Sequence, residues 1–473
     1  MKEIETGMQA DGPPLVADML AQRICRFTAG MLTPLAIRQA RTCILDTLGV
    51  TLAGMKEPCV QILLQVPGIA DTSGPALIFG TDRKTSMLDA ALINGTASHA
   101  LDYDDFSAVM GGHHSVPLVS SLLALSAGRR VSGRQLLAAY VIGVETEVRL
   151  ARAVNHHHYD KGWHPTSTLG TMGAAAAACH LLGLGPRKTA MALGVAVSLA
   201  SGIKANFGTM TKPLHIGHCS RSGLMAALLA ERGFDSADDA MEHHQGFFNV
   251  FNGPGTYDVG RLFESWGEPW EIEADSIGLK QFPCCGSTHP AVTMALQLRQ
   301  DAGFDIGQLA AIEIFPHDRR LRHTNTPWPE SALEAKFSVQ YAVARALLSG
   351  VPRLADFEGS AHQDPAIQRL LGITQARPHP AMADDAPEQW GAEVVLTMND
   401  GRRLARRVDN LVGRGGDNPM SRDELWDKFS DCAGRALSRE QSASLFACLE
   451  TLEDLDDIDA LDRLLETRPQ PQA

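Results

Sequence analysis

The sequence predicts a mainly α protein, in which a smaller α+β domain is inserted into a large all-helical domain. Long runs of Ala, Leu, Val and Gly, as in residues 136–154 and 169–184, are typical of closely packed buried helices. The β-branched run at 309–316 predicts a strand, and the Asn-Asp-Gly turn within 392–410 predicts a hairpin. The pattern becomes helical again from about residue 413, which favours an insertion.

The predicted domain bounds are 1–270 and 413–473 for the helical domain and 271–412 for the α+β domain. Thr33 followed by Pro34 predicts a helix start, because Thr caps free N–H groups and Pro fits the first turn. Ser421 with Glu424 three residues later predicts a capping box at another helix start. The first 14 residues and the Pro-rich end are expected to be disordered.

Composition excludes several classes of partner. A chain of 473 residues exceeds one ordinary core, and its net charge of −13 argues against nucleic acid or an anionic membrane as the main partner. Nine cysteines without a C-x-x-C spacing favour reduced thiols over a zinc ribbon or an iron–sulfur cluster. The acidic N-terminal segment does not resemble a signal peptide, and no apolar run suffices for a membrane span. We therefore expect a cytoplasmic protein.

The first polar constellation follows a predicted helix. Asp102, Asp104 and Asp105 come directly after it, and His113 and His114 lie just beyond. A solvated acidic loop is one interpretation. The other is a proton-transfer site, in which a carboxylate orients a histidine.

Two further constellations precede long apolar helices. His164 comes just before a Thr or Ser that we expect to be an N-cap, where backbone N–H groups favour anions. The histidine run 156–158 is interpreted as a solvated turn and not as a metal tract. Lys212 precedes Pro213 and is therefore expected in a loop. It is either a surface charge or, together with His164 and His113, a clamp for a carboxylate.

A fourth constellation opens the α+β domain. Lys280 and His289 flank the neighbouring residues Cys284 and Cys285, for which packing is the simpler role. The Lys and the His are candidates to close a site from the second domain. Motifs for serine hydrolases, P-loops, zinc proteases and dinucleotide binding are absent from the sequence. The remaining hypothesis is a cationic, proton-transferring site suited to a small polycarboxylate.

These motifs together resemble the MmgE/PrpD family. The resemblance runs in family order from about residue 40 to residue 350 and extends through NPMSRDELWDKFSDCA near the C-terminus. The six main stretches are LDTLGVTLAG, NGTASHALDYDDF, KGWHPTSTLGTMGAAAAA, TMTKPLHIG, GLKQFPCCGSTH and EAKFSVQYAVARALL.

The resemblance implies a helical domain with a smaller lid domain, a homodimer, and an active site between the domains that needs neither metal nor cofactor. By motif position, the family's functional residues fall on Asp102, His113, His164, Lys212, Lys280 and Tyr341. His113 is chosen over His114 within a segment shorter than in some members. Phe106 and Cys285 depart from the aconitate-type branch, which has Thr and His there, so a carboxylate-binding group is lost at each position.

The family includes 2-methylcitrate dehydratase, cis-aconitate decarboxylase and iminodisuccinate epimerase. The first hypothesis is therefore a cofactor-independent lyase that dehydrates a citrate-like hydroxy-polycarboxylate of the 2-methylcitrate type. Alternatives are an epimerase of an imino-dicarboxylate and a cis-aconitate decarboxylase, the latter disfavoured by Phe106 and Cys285. A hypothesis of another class is a non-catalytic binding protein that retains the fold, in which the Asp, His and Lys candidates would lie more than about 10 Å apart.

Overall fold

The computed structural model describes residues 14–382, 390–411, 414–416 and 418–467. It confirms the mainly α prediction. The helices are α1 Val16–Arg26, α2 Pro34–Gly54, α3 Pro58–Leu63, α4 Met87–His99, α5 Ser115–Ser126, α6 Gly133–Asp160, α7 Pro165–Leu181, α8 Pro186–Leu199, α9 Thr211–Glu231, α10 Gly260–Phe263, α11 His289–Arg299, α12 Asp318–Leu321, α13 Ala332–Lys336, α14 Val339–Ser349, α15 Pro365–Leu371, α16 Arg422–Ala433, α17 Arg439–Leu449 and α18 Asp459–Leu465.

The strands form two short pairs and one four-stranded sheet. Their bounds are β1 Ala76–Leu77, β2 Lys84–Thr85, β3 Phe106–Ser107, β4 Ile277–Gly278, β5 Leu309–Pro316, β6 Thr374–Ala376, β7 Ala392–Met398 and β8 Arg403–Val408. The larger sheet has the order β6-β5-β7-β8, with β5 parallel to β6 and antiparallel to β7. The predicted strand at 309–316 and the predicted hairpin are thus confirmed, with β7 and β8 paired antiparallel.

The first hydrophobic core is built from helices whose small residues let their backbones approach. Helix α4 packs against α9, and α7 packs against α6 and α9. A Cβ atom on Gly95 of α4 would lie 2.9 Å from the Cα atom of Gly217 of α9, and one on Gly217 would lie 2.1 Å from the carbonyl oxygen of Leu92. Both positions therefore require glycine. This contact holds the C-terminal end of α4 beside the start of α9, where two candidate residues lie.

A second, separate cluster of buried side chains contains residues between Phe282 and Met398 and includes the four-stranded sheet. After it, the chain returns to the first cluster, because Phe429 and Ala433 of α16 are buried there. The predicted division at 270 and 412 stays a prediction, and position 412 lies outside the described residues.

Both predicted caps are confirmed. The Thr33 side chain accepts a hydrogen bond from the Ala36 N–H group, and Ser421 with Glu424 forms a capping box at α16. Residues 1–13 and the Pro-rich end from 468 lie outside the described residues, so their predicted disorder is untested. None of the helices in the described chain combines the length and the hydropathy that crossing a bilayer requires.

Candidate active site

Five of the six residues proposed from the sequence line one cavity of about 810 Å³. It is bordered by the end of α4, the loop that follows, the starts of α7 and α9, and residues of the second cluster. The five are Asp102, His113, His164, Lys212 and Lys280. The non-catalytic alternative predicts that these side chains lie far apart, whereas here they line the same cavity.

Asp102 is the centre of the charged wall. Its Oδ1 atom lies 2.9 Å from Lys280 Nζ, 3.1 Å from Lys212 Nζ and 3.5 Å from His113 Nε2. The Lys280 ammonium also donates to the Asp102 carbonyl oxygen at 2.6 Å. Asp102 adopts a φ of 52°, a left-handed conformation that is strained for a residue other than glycine. Such strain is typical of sites in which the surrounding structure fixes a functional side chain.

The two lysines keep Asp102 ionised. Burial on its own raises the pKa of the Asp102 carboxyl, but Lys212 and Lys280 outweigh it and hold that pKa well below its usual range. Burial likewise opposes the charge of Lys280, yet Asp102 raises the pKa of that ammonium above its usual value. One carboxylate therefore pairs with two ammonium groups, and both lysines line the cavity where an anionic ligand could contact them.

Asp104 holds two histidines. Its oxygens lie 2.9 Å from His99 Nδ1 and 2.8 Å from His113 Nδ1. Burial raises the pKa of Asp104, but His113 and His99 outweigh it and keep that pKa well below its usual range. Because Nδ1 of His113 is also 2.7 Å from the Asp105 carbonyl oxygen, its Nε2 atom is the one left to exchange a proton. His114 is completely buried behind it.

His99 is a cavity residue that sequence reasoning missed. It is the last residue of α4, three positions before Asp102, and its ring centroid lies 4.5 Å from that of His113. Burial lowers the pKa of His99 to about 4 against the opposing effect of Asp104, so the ring is neutral. The one feature of the sequence that could have indicated this role is that His99 lies in the same motif as Asp102.

His164 is itself the N-cap of α7, where a following Thr or Ser was expected. Its Nδ1 atom lies 3.1 Å from His215 Nδ1. The following Thr166 instead accepts a hydrogen bond from the His113 N–H group at 3.0 Å and so positions that residue. Burial lowers the pKa of His164 well below its usual value, and the neighbouring His99 and Lys212 side chains act in the same direction. His164 is therefore a neutral hydrogen-bonding group.

Two expectations for neighbouring residues were wrong. Lys212 lies in the first turn of α9 and not in a loop, because Pro213 is tolerated there, where its missing N–H group has no helical partner. The 156–158 run is helical, in the turn of α6 that follows a kink at Asn155, and only exposed His156 fits the predicted solvated turn. His158 is buried, with its two ring nitrogens 3.1 Å from Asn252 Oδ1 and 2.8 Å from Thr168 Oγ1.

Tyr341 does not reach the cavity, contrary to the role implied by the resemblance. It is fully buried in the second hydrophobic cluster, where its hydroxyl donates to the Asp356 carbonyl oxygen and accepts from Arg345 Nε at 3.0 Å. His289 also lies elsewhere, since its ring Nε2 is within 3.2 Å of the Phe282 and Cys284 carbonyl oxygens. Both residues have structural contacts and not cavity contacts.

The two departures from the aconitate-type pattern have different environments. Phe106 is in β3, paired with Gly278, and is not among the cavity residues, whereas Cys285 lines the cavity. Only the second departure therefore changes the group that faces a ligand.

Lys428 of α16 connects the segments that carry Asp102 and Lys280. Its ammonium donates to the Tyr103 carbonyl oxygen at 2.9 Å and to the Lys280 carbonyl oxygen at 2.8 Å. It also pairs with Asp46 at 2.5 Å. Burial raises the pKa of Asp46 to about 7, and Lys428 opposes that rise. A helix from the C-terminal part of the chain thus fixes the cavity wall.

His99, Asp102, Asp104 and His113 present ligand atoms within 4.8 Å of one another, a spacing that a metal ion could use. The fit is poor, because the Asp102 oxygen already contacts two ammonium groups that would repel a divalent cation. Metal independence stays a prediction.

Comparison with known proteins gives matches along nearly the whole chain. The sequence model of the MmgE/PrpD N-terminal domain matches residues 18–259, and that of the MmgE/PrpD C-terminal domain matches residues 282–453. Human cis-aconitate decarboxylase is 30% identical over 453 residues, 92% of each chain. The 2-methylcitrate dehydratase of Cupriavidus necator is 27% identical over 455 residues, 88% of this chain and 90% of its own.

Proposed function

This chain belongs to the MmgE/PrpD family, and on that basis we propose that it is a cofactor-independent lyase acting on a citrate-like polycarboxylate. The observation that carries the proposal is the pairing of Lys212 and Lys280 with the single carboxylate of Asp102, beside a histidine whose other nitrogen is held by Asp104. Two ammonium groups next to a proton carrier suit a reaction that builds negative charge beside a carboxylate.

In the proposed dehydration, His113 Nε2 removes a proton from the carbon next to a substrate carboxylate. The electron pair of that C–H bond moves into the carboxylate, which becomes an enediolate stabilised by Lys212 and Lys280. The electrons then return to form the C=C bond, and the hydroxyl on the neighbouring carbon leaves as water after it takes the proton from His113, which restores the neutral imidazole. Asp104 stabilises the imidazolium that forms on His113 in the first step.

Dehydration is the first candidate because a histidine held by an ionised carboxylate is a competent base, and elimination needs one to start. A decarboxylation is the second candidate, favoured by the higher identity to the human and mouse cis-aconitate decarboxylases, at 30%, than to the Cupriavidus necator dehydratase, at 27%. Loss of CO₂ leaves a carbanion, to which His113 would deliver a proton. We further propose that the second hydrophobic cluster acts as a lid that brings Lys280 to the first, that the protein is a homodimer, and that it works in the cytoplasm.

The test is incubation of the purified protein in D₂O with 2-methylcitrate, citrate, cis-aconitate and iminodisuccinate, followed by NMR. Formation of the unsaturated acid supports the dehydratase, and loss of CO₂ from cis-aconitate supports the decarboxylase. Deuterium incorporation without elimination would replace both with an epimerase. Lys212→Met should weaken binding and slow turnover, whereas Lys56→Met, at an exposed position, should change neither. No reaction on any of these acids would refute the proposal.

A further inference from the structure

A third lysine of the cavity lacks an acidic partner. Lys336, the last residue of α13, lines the cavity on the side of the second cluster. Its ammonium donates one long hydrogen bond of 3.4 Å to the Leu101 carbonyl oxygen, and within the described residues no carboxylate lies within 4.0 Å of it. Lys212 and Lys280, by contrast, both contact Asp102. Lys336 is thus a cavity lysine that makes no close ion pair with a described carboxylate.

The surroundings of Lys336 make an anionic ligand favourable there. Burial lowers the pKa of its ammonium, while Glu57 and Asp102 act against this effect from a longer distance. A partly buried cation without a close counter-ion has lost hydration that no ion pair replaces. A substrate carboxylate would supply the missing partner.

Lys336 and Lys280 reach the same short stretch of backbone, so one small polycarboxylate could contact both lysines. Its Nζ atom contacts the carbonyl of Leu101, and Lys280 Nζ contacts the carbonyl of the next residue, Asp102. Since consecutive Cα atoms are about 3.8 Å apart, the two ammonium groups lie within roughly 11 Å of each other. The backbone of Lys336 is fixed to the same wall, because its carbonyl oxygen accepts from the Cys285 N–H group at 2.8 Å.

From this geometry we infer that Lys336 forms a second carboxylate subsite, which binds a substrate carboxylate other than the one held at Lys212 and Lys280. The inference rests on the proposed function. It specifies the substrate as an acid with at least two carboxylates, one held at Lys212 and Lys280 and one at Lys336. The side chains of Leu333 and Phe337 border the same cavity and suit a hydrocarbon segment between the charged ends.

The experiment measures binding of tricarballylate, a saturated tricarboxylate, by isothermal titration calorimetry. Lys336→Met should raise the dissociation constant about 10- to 100-fold, because a charged hydrogen bond is lost. Lys336→Arg should stay within about 3-fold of the parent, since it keeps the cation. Lys56→Met is the matched control, with the same change in net charge at an exposed site.

A second measurement uses the unaltered protein. Acetylation of lysines by a succinimidyl ester, read by mass spectrometry, should label Lys336, and tricarballylate should reduce that labelling at least several-fold. Lys56 should be labelled equally with and without the ligand.

Equal affinity of Lys336→Met and the parent, or labelling of Lys336 unaffected by ligand, would overturn the subsite. If Lys336→Met and Glu57→Gln both lower the melting temperature while affinity is unchanged, Lys336 is structural and the inference is wrong. Failure of the parent itself to bind or convert any polycarboxylate would refute the proposed function instead, so the two failures are distinguishable.

Discussion

Replacing Lys428 with Met tests whether α16 fixes the cavity wall. The change removes a buried ammonium that contacts the Tyr103 and Lys280 carbonyl oxygens and pairs with Asp46. Loss of one partner from a buried ion pair costs about 3–5 kcal/mol when the remaining charge stays ionised. For a chain of 473 residues that unfolds as one unit, a loss of about 4 kcal/mol lowers the melting temperature by roughly 4 °C.

The loss of stability in Lys428→Met should depend on pH, because it involves the ionisation of Asp46. Burial raises the pKa of Asp46 to about 7, above its value in the unfolded chain, so the folded state holds the proton more tightly. The contribution of Asp46 to stability is therefore present at low pH and is lost as pH rises through about 7. Without Lys428 that pKa rises further, because the group that opposed the rise is gone. The deficit of the variant should thus be smaller at pH 6, where the hydrogen bonds to the Tyr103 and Lys280 carbonyl oxygens are lost, and larger at pH 9, where a buried Asp46 charge is left unpaired as well.

The assay is thermal or urea unfolding of the parent, Lys428→Met and the exposed control Lys56→Met at pH 6, 7.5 and 9, with kcat/KM measured alongside. Lys428→Met should also lower kcat/KM, since the Lys280 segment loses its anchor. If Lys428→Met melts with the parent at pH 9, the buried pair does not stabilise the fold. If its stability deficit is instead the same at every pH, the role given to Asp46 is wrong.

Three further predictions separate catalytic from structural roles. His113→Gln should lower kcat about 10²- to 10⁴-fold, because His113 is the histidine that an ionised carboxylate orients as a base. His164→Gln should lower kcat less. Steady-state kinetics that show the reverse order would assign the role of proton carrier to His164. Tyr341→Phe should leave KM unchanged and cost about 1 kcal/mol in unfolding, through its lost hydrogen bond to the Asp356 carbonyl oxygen; a large change in KM would return it to the site. Treatment with EDTA should leave turnover unchanged, because lysines already neutralise Asp102; activity lost to EDTA and restored by a metal would contradict this.

Much of the site was predictable from the sequence because its residues lie next to helix boundaries, which short sequence patterns indicate. The carboxylates after α4, His164 before Pro165 and Lys212 before Pro213 all stand where a helix ends or begins, and helix boundaries depend on nearby residues. The same signals misplaced the N-cap at α7, since His164 takes that position and Thr166 instead positions His113. The local pattern thus predicted the correct segment for the helix start but the wrong residue as its N-cap.

The sequence by itself determined the helical class, the strand at 309–316, the hairpin, two helix caps and the identity of five cavity residues. Only the tertiary structure decided which of these groups contact one another. Lys280 pairs with Asp102, 178 positions away in the chain, and Lys428 donates a hydrogen bond to the carbonyl oxygen of Lys280, 148 positions away. It also placed Tyr341 in a core and brought His99 to the cavity. The physical reason is that helix propensity and capping act over a few residues, whereas ion pairing and desolvation depend on distances set by the packing of the whole chain.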